Sequence, residues 1–391
     1  MDKISLKNAF IVFFSLIIFC FCPNCIKQAK AEELNNNEIK INARAAYLID
    51  AHTGTEIISK NALDKLPIAS MTKLATLSVI FDKINSGVIS LTDTVSVSQN
   101  AADTEGSSAF LDAGSKYTVE SLIKTIVVVS ANDSCVAMAE HIFGSEELFV
   151  KQMNNLISKL NLHNTHFSDC TGLSSENNYS CAKDMATIYQ SICNNETYKK
   201  FSKIWMEDFV HPGGRITGLV NTNKLIKTYD GCDSGKTGHT NAAKYCLTAS
   251  ASRGGTTLIS VIIGAEDSKS RFDQTKDMFN YGFANFVTEQ IVNTQVPITT
   301  IDISGAQQKN IELYADREYF AFKQKGSDST YKTHIIIGEN NKAPIKSGDS
   351  LGTLLVLDHN NVVLDEINLV SQQDIDPITF GQILDYIFKQ W

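Results

Sequence analysis

Apolar and β-branched residues fall into short runs in two widely separated parts of the chain. The runs 45–50 and 56–59 flank turn residues and predict a β-hairpin. The runs 245–251 and 257–264 flank a pair of glycines and predict a second antiparallel pair of strands. Strands are therefore expected both before and after the longer apolar segments.

Longer apolar segments predict helices between these strands. One begins near Ser70 and is expected to run to about Gly87, which would cap its C-terminus. Another is expected to begin at Thr118, a residue type that caps helix N-termini, and to end near Val129. Amphipathic or apolar spacing predicts three further helices, at 149–160, 182–193 and 271–287.

The pattern changes beyond residue 297, where short β-rich runs replace the helical spacing. Turns rich in Asn, Gly and Ser separate these runs, and no long helical pattern is present. The pattern predicts a small all-β domain over residues 297–374. Its strands are expected at 311–313, 333–337, 351–357 and 362–370.

The end of the chain returns to helical spacing. Its apolar side chains fall at steps of three and one, which predicts an amphipathic helix over residues 377–391. Trp and Phe near a free end favour a helix that lies in the membrane interface, and docking onto the chain's own β domain is the alternative. The apolar face consists of Phe380, Ile383, Leu384, Ile387, Phe388 and Trp391.

Residues 1–31 have the organisation of a signal peptide. Lys3 and Lys7 lie at the start, an almost wholly apolar segment runs from Ala9 to Cys22, and Ala29-Lys30-Ala31 fits a cleavage site. The chain is therefore expected to be exported and to lie outside the cytoplasm, on the cell membrane. A leader retained as an anchor is the alternative. Lipid attachment to a leader cysteine is less favoured, because no small residue directly precedes one.

Composition narrows the class of function. With 391 residues, of which 43% are hydrophobic and 20% charged, the chain is long enough for about two globular domains. A formal net charge of −8 gives no support to nucleic-acid binding. The six cysteines outside the leader lack the paired spacing of metal sites, so no metal is expected. Cys170 and Cys181 are the pair considered for a disulfide.

Three short motifs carry candidate chemistry, and each is weak alone. In the first, Ser70 and Lys73 are three residues apart at a helix start, so their side chains share one face. A partly desolvated lysine amine can act as the base that activates a serine hydroxyl. A solvated helix surface is the ordinary explanation of the same spacing.

The other two motifs place polar residues in apolar surroundings. Ser130-Ala131-Asn132 interrupts two strongly apolar segments, and buried polar groups must be hydrogen-bonded or functional. A capped junction between two helices is the alternative. Lys236-Thr237-Gly238 is expected on a strand, where a glycine often marks the close approach of a ligand or another backbone. By itself this tripeptide is more often a turn.

The order of the motifs makes them stronger together. Ser70, Ser130 and Lys236 are separated by 60 and 106 residues, and a trio of this kind is typical of penicillin-binding proteins and class A β-lactamases. The chain resembles a serine-type D-alanyl-D-alanine carboxypeptidase, a low-molecular-mass penicillin-binding protein. Two residues depart from the family pattern, since Ser234 and Lys244 stand where glycine is usual. Both lie beside the site, so they bear on specificity.

The resemblance implies a fold, a domain division and partners. The fold class is α/β (α+β), with a β-lactamase/transpeptidase-like catalytic domain over residues 39–292 ahead of the all-β domain and the terminal helix. The implied partners are peptidoglycan stem peptides ending in D-Ala-D-Ala, β-lactam antibiotics and the outer face of the cytoplasmic membrane. No cofactor is implied.

The resemblance also assigns catalytic roles. Ser70 attacks the carbonyl of the penultimate D-alanine, Lys73 takes its proton, and Ser130 relays a proton to the leaving amine. The backbone N–H groups of Ser70 and His239 form the oxyanion hole. Burial and the positive charge of Lys236 are both expected to lower the pKa of Lys73, which must be neutral to act as base.

Substrate binding is assigned to the remaining residues of the motifs. Asn132 is expected to hydrogen-bond the substrate backbone, and Lys236 and Thr237 are expected to hold its terminal carboxylate. The strand that includes Gly238 is expected to pair with the extended peptide.

Two other functions remain open from the sequence. A class A β-lactamase uses a carboxylate to activate the deacylating water. The polar loop contains Asp169 and Glu176 but no Glu-x-x-x-Asn pattern, which favours slow deacylation and makes β-lactams inhibitors. A non-catalytic wall-binding protein that keeps the fold is the alternative from another class, and the intact motifs argue against it.

Overall fold

A computed structural model describes residues 39–173, 177–339 and 341–389. The predicted leader and its cleavage site lie outside these residues, as do Glu176 and Trp391. None of the described helices is long and apolar enough to cross a membrane.

An antiparallel sheet of five strands, in the order β2-β1-β9-β8-β7, forms the centre of the first part of the chain. Two small hairpins, β3–β4 and β5–β6, accompany it. The two predicted hairpins are confirmed as β1–β2 and β8–β9. The strands are β1 (Ala45–Asp50), β2 (Glu56–Lys60), β3 (Thr94–Ser96), β4 (Lys116–Thr118), β5 (Met206–Val210), β6 (Ile216–Val220), β7 (Cys232–Thr240), β8 (Lys244–Arg253) and β9 (Thr256–Ala265).

The central strand β9 supplies side chains to two cores. Ile259 and Val261 belong to a core that also contains Leu74, which lies in helix α1 (Lys73–Asn85). Leu258 and Ile262 belong to a second core on the opposite face of the sheet. Because a strand covered on both faces has no solvent side, its sequence is apolar almost without interruption.

Helices cover both faces of this sheet. The four helices predicted after the first one are confirmed, with ends that differ by a few residues. Thr118 caps the second of the long helices as predicted, because its hydroxyl accepts a hydrogen bond from the N–H of Ser121 (3.1 Å). The helices are α1 (Lys73–Asn85), α2 (Gln99–Ala102), α3 (Val119–Val128), α4 (Asn132–Phe143), α5 (Glu146–Lys159), α6 (Ala182–Gln190), α7 (Glu196–Ser202), α8 (Leu225–Thr228) and α9 (Ser268–Asn285).

Helix α1 is enclosed for more than two turns. Every residue from Lys73 to Phe81 is buried, so this part of the helix has no solvent face. The predicted helix start near Ser70 differs in detail, because Ser70 lies in a 3-10 turn (Ala69–Thr72) and the α-helix begins after it. Gly87 follows the end of α1 with a φ of +72°, the left-handed conformation expected of a glycine just past a helix.

The sequence pattern does not predict the β5–β6 hairpin. Phe209 and Leu219 on one face are buried, but the other face is exposed. Few apolar residues therefore mark the side of the hairpin that faces the core. The exposed face carries the large apolar side chains Met206, Val210, Ile216 and Val220.

The second part of the chain is built from strands, as predicted. A five-stranded antiparallel sheet has the order β11-β12-β16-β15-β14, and β10 pairs with β13. The four predicted runs are strands, whereas β10, β11 and β13 are not predicted, and β10 begins at Phe286, within the range predicted as helix. These strands are β10 (Phe286–Val292), β11 (Thr299–Asp302), β12 (Asn310–Ala315), β13 (Tyr319–Gln324), β14 (Lys332–Ile337), β15 (Ser350–Leu357) and β16 (Val363–Ser371).

The two sheets are connected through β10 and β13. The Thr288 hydroxyl of β10 donates a hydrogen bond to the buried carboxylate of Asp50 at the end of β1 (2.6 Å). The Phe320 ring of β13 stacks on the His52 ring at 4.1 Å between centroids. These contacts fix the β-rich part against the turn between β1 and β2.

The last element of the described residues is a helix, α10 (Phe380–Lys389), which confirms the predicted amphipathic element. Its apolar side chains are exposed: Phe380 and Phe388 are each 75% accessible, and Ile387 is 47% accessible. The alternative that this face docks onto the β domain is therefore not supported.

All six cysteines of the described chain are free thiols. Cys170 and Cys181, the pair considered for a disulfide, are therefore not bridged. The Cys170 side chain is part of the core around α1, whereas the Cys181 sulfur caps α6 by accepting from the N–H of Asp184 (3.4 Å). Burial raises the pKa of Cys181 to about 12, so its thiol is unreactive at neutral pH.

Candidate active site

Ser70 lies in a turn that two glycines approach closely. A Cβ atom on Gly172 would lie 2.0 Å from the carbonyl oxygen of Ala69, and one on Gly238 would lie 2.5 Å from the carbonyl oxygen of Ile68. Gly172 also has a φ of +80°. Because backbone atoms cannot yield as a flexible side chain can, only glycine fits at these two positions. Strand β7 and the loop before residue 173 therefore pack closely against the serine turn on two sides.

Lys73 follows Ser70 and contacts it directly. The Lys73 ammonium donates to the Ser70 hydroxyl (3.0 Å) and to the carbonyl oxygen of Thr171 (2.6 Å), and its side chain is completely buried. Asp169 fixes that carbonyl, because its carboxylate accepts from both the N–H (2.7 Å) and the hydroxyl (2.8 Å) of Thr171. The Asp169–Gly172 loop therefore holds the lysine against the serine.

A second lysine–serine pair faces the first. Lys236 on β7 donates to the Ser130 hydroxyl (2.7 Å) and to the carbonyl oxygen of Thr237 (3.0 Å). Lys236 is 1% exposed. Ser130 has a φ of +65° just before α4, a conformation that costs a non-glycine residue about 1–3 kcal/mol and is concentrated at functional sites.

Neither lysine has an anionic partner. Among the described residues, their hydrogen-bond acceptors are hydroxyl and carbonyl oxygens, and no ion pair within 4.0 Å includes Lys73 or Lys236. Two buried ammonium groups without a carboxylate make this site favourable for an anion.

Burial lowers the pKa of Lys73 below 10.5, against a smaller opposing effect of neighbouring groups that include Asp169 and Asp133. Burial also lowers the pKa of Lys236 well below 10.5, and the positive charge of Lys73 lowers it further. Repulsion between two ammonium groups is mutual, so the positive charge of each lysine favours loss of the proton from the other.

Asn132 has one satisfied and one unsatisfied polar atom. Its amide nitrogen donates to the carbonyl oxygen of Glu105 (2.6 Å), and its carbonyl oxygen is buried without a partner. The neighbouring Asp133 holds the Glu105 loop, since its carboxylate accepts from the Ser108 hydroxyl (2.7 Å) and the Leu111 N–H (3.0 Å). The Asn132 oxygen remains available to accept an N–H from a ligand.

The rest of the third motif lies on β7, which is an edge strand of the sheet. Thr237 is buried and Gly238 packs on the serine turn. The His239 side chain is exposed, and its ring packs on Tyr245 at 4.2 Å between centroids. Its imidazole therefore does not join the two lysine–serine pairs.

Arg271 and Ser234 support β7, and the sequence motifs do not indicate either role. The buried Arg271 guanidinium donates to the carbonyl oxygens of Gly238 (3.1 Å) and Cys246 (3.3 Å). Ser234, at one of the departures from the family pattern, hydrogen-bonds the Tyr189 hydroxyl (2.6 Å). Both partners come from distant parts of the chain, so only the fold reveals them.

Comparison with known proteins identifies two matching family models. The family described as D-alanyl-D-alanine carboxypeptidase matches residues 28–267, and the family described as penicillin-binding protein 5, C-terminal domain, matches residues 286–377. The first match covers more than half of the 391 residues.

Individual relatives match over nearly the whole chain. D-alanyl-D-alanine carboxypeptidase DacF of Bacillus subtilis is 36% identical to this chain, and the match covers 96% of each of the two chains. DacA of Escherichia coli, with the same descriptive name, is 30% identical with 95% of both chains covered.

Solved structures agree with this assignment. Penicillin-binding protein 5 from Haemophilus influenzae is 30% identical, with a TM-score of 0.67 over 86% of this chain and 98% of that one. Penicillin-binding protein 6B from Escherichia coli is 28% identical, with a TM-score of 0.65 over 85% and 96%. The predicted fold class is confirmed, and the chain belongs to the D-alanyl-D-alanine carboxypeptidase family of penicillin-binding proteins.

Proposed function

We propose that this protein is a serine D-alanyl-D-alanine carboxypeptidase that removes the terminal D-alanine from peptidoglycan stem pentapeptides. The observation that carries the proposal is the pair of buried ammonium groups, each on a serine hydroxyl and neither on a carboxylate. The substrate brings both groups that this arrangement lacks: a carbonyl carbon for a serine to attack, and a terminal carboxylate.

The first chemical step forms an acyl-enzyme. The Ser70 oxygen attacks the carbonyl carbon of the penultimate D-alanine while its proton passes to neutral Lys73, 3.0 Å away. The C–N bond then breaks, and Ser130 relays to the leaving amine the proton that Lys73 took, so Ser130 keeps its hydroxyl and Lys73 returns to the neutral form. The N–H groups of Ser70 and His239 stabilise the oxyanion, and donors of this kind contribute about 3 kcal/mol each.

Recognition uses the opposite side of the site. Lys236 and Thr237 hold the terminal carboxylate, which supplies the negative charge that Lys236 lacks. The unpartnered Asn132 oxygen accepts a substrate N–H, and the free edge of β7 pairs with the extended peptide beside Gly238.

Water completes the cycle by hydrolysing the ester. A penicillin acylates Ser70 in the same way, but its opened ring stays attached and hinders this water. Asp169 is committed to the Thr171 loop through several hydrogen bonds, which disfavours it as the base of a β-lactamase. Penicillins are therefore inhibitors.

The chain's location is part of the proposal. A cleaved leader, residues 1–31, exports the protein, and α10 lies in the membrane interface with its apolar face in the lipid. The exposure of that face supports this arrangement. We also propose the domain division 39–292, 297–374 and 377–391.

Fluorescent penicillin tests the nucleophile. We expect it to label the protein covalently, and we expect Ser70→Ala to abolish the label and lower D-alanine release from a soluble pentapeptide by at least about 1,000-fold. The matched control is Ser86→Ala at the exposed end of α1, which should label normally. Persistent labelling of Ser70→Ala, or no labelling of the wild type, would contradict the proposal; the latter is the outcome for a non-catalytic wall-binding protein.

The lowered lysine pKa values predict the pH dependence of kcat/KM. The rate should rise with pH as Lys73 loses its proton, and fall at higher pH as Lys236 loses the charge that holds the carboxylate. Because both pKa values are lowered, both changes should occur below pH 10.5. In Lys236→Arg the fall should move to higher pH, since arginine stays protonated. If kcat/KM of Lys236→Arg falls at the same pH as that of the wild type, Lys236 is not the group whose charge holds the carboxylate.

Vesicle binding tests the terminal helix. For the chain from Glu32 onward, Ile387→Lys should weaken cosedimentation with zwitterionic vesicles at least about tenfold, because it puts a charge in the lipid-facing surface. Gln382→Lys adds the same charge on the polar face and should bind nearly as the wild type does. Equal binding by the two variants would show that this face does not enter the membrane.

A further inference from the structure

A polar groove runs along the outer face of the β11–β12 pair in the second sheet. Side chains along β12 alternate between the buried core and the floor of this groove. Ile311 and Leu313 point into the core, whereas Glu312 and Tyr314 point into the groove. The loop between β11 and β12 forms one wall, and the segment after β16 forms the other. Two adjoining depressions, of about 630 and 430 Å³, share Gln308, and such volumes fit small-molecule-sized groups.

Primary amides dominate this groove. An amide offers two donors and an oxygen with two lone pairs, so a row of them can bind groups that donate and accept at once. No lysine or arginine lines either depression. We call this surface the amide groove, and its amide side chains are Gln307, Gln308, Asn310, Gln372 and Gln373.

The walls of the amide groove are fixed by local hydrogen bonds. The Ser371 hydroxyl donates to the carbonyl oxygen of Gln373 (2.7 Å) and accepts from its N–H (3.2 Å). On the next residue, Asp374 accepts from the N–H of Ser347 (2.9 Å). On the other wall, the Gln308 amide donates to the carbonyl oxygen of Asn310 (3.0 Å). A preorganised wall lowers the entropy lost on binding.

Tyr314 supplies an aromatic surface in the floor. Its hydroxyl donates to the Glu312 carboxylate (2.8 Å), which holds the ring in place, and the side chain is only partly buried. A ring with a polar tip suits a ligand that has both apolar C–H surface and hydroxyl groups.

Charge narrows the ligand class further. The charged groups that line the groove are the carboxylates of Glu312, Asp374 and Asp376. Phosphate-bearing polymers and anionic lipid headgroups would meet repulsion from these carboxylates, and the Lys346 ammonium beside them is already paired with Asp374 (3.3 Å). A neutral chain of hydroxyl and acetamido groups would meet amides, an aromatic ring and acceptors.

We infer that the amide groove binds the glycan strand of peptidoglycan, a chain of N-acetylated amino sugars that is neutral where its muramyl carboxyl groups are amide-linked to stem peptides. The choice of this polysaccharide rests on the proposed function, whereas the ligand chemistry rests on the groove. Residues Asp374 to Asp376 end the groove a few positions before α10 begins at Phe380. The groove thus holds the glycan on the same sheet that carries the terminal helix.

The test uses the full chain with Ser70→Ala, so that the active site cannot turn over a substrate. The probe is a chito-oligosaccharide of N-acetylglucosamine, a neutral chain with the hydroxyl and acetamido groups of the glycan strand, and binding is measured by isothermal titration calorimetry. Adding Gln308→Ala and Tyr314→Ala should weaken binding at least tenfold. The matched control, Gln324→Ala with Tyr331→Ala elsewhere in the second part of the chain, should bind normally. Tyr314→Phe should also bind, because it keeps the ring.

Several outcomes would overturn the inference. They are no binding of glycan to the unaltered groove, equal binding by the groove and control variants, or binding that falls steeply between 50 and 500 mM salt, which a neutral ligand does not predict. A circular dichroism melt checks that the groove variant is folded, and if it is not, Tyr314→Ala alone replaces it. Penicillin labelling separates this inference from the proposed function: labelling without glycan binding defeats only the groove, and glycan binding without labelling defeats only the enzyme.

Discussion

Two buried ammonium groups in one site, without a carboxylate partner among the described residues, are the constraint on which the rest of the catalytic part depends. Desolvating an ion costs several kcal/mol even after relaxation, so Lys73 and Lys236 must be held in place by other interactions. The same desolvation lowers the pKa of both lysines. In the proposed reaction the same feature is used twice, since one lysine acts as a base and the other receives the substrate carboxylate.

The elements that hold this site are the most enclosed ones near it. Lys73 opens a helix whose first nine residues are all buried, and Lys236 lies on a strand that packs on the serine turn through Gly238. Asp169 and Asp133 fix the two loops that contact the motifs. Their carboxylates accept hydrogen bonds from loop groups and form no ion pair with either lysine, so the site remains open to an external anion.

Local patterns allowed much of this to be predicted. The β1–β2 and β8–β9 hairpins, the long helices and the terminal amphipathic helix follow from periodicity, and Ser70 and Lys73 meet because of their spacing. The contacts of Arg271 and Ser234 join segments that are distant in the sequence, so no short pattern contains them. The β5–β6 hairpin was not predicted, because its outer face carries apolar side chains although it is exposed to solvent. Cys170 and Cys181 are near in sequence, but their side chains belong to different surroundings.

The central claim is that the site is built to receive a terminal carboxylate. It is tested most directly by comparing kcat/KM for a peptide ending in D-Ala-D-Ala with that for the same peptide as its C-terminal amide, which keeps the scissile bond and removes the charge. The account predicts a rate for the amide that is lower by roughly 100-fold or more, because one partner of a buried charge pair is lost. Equal rates for the acid and the amide would contradict it.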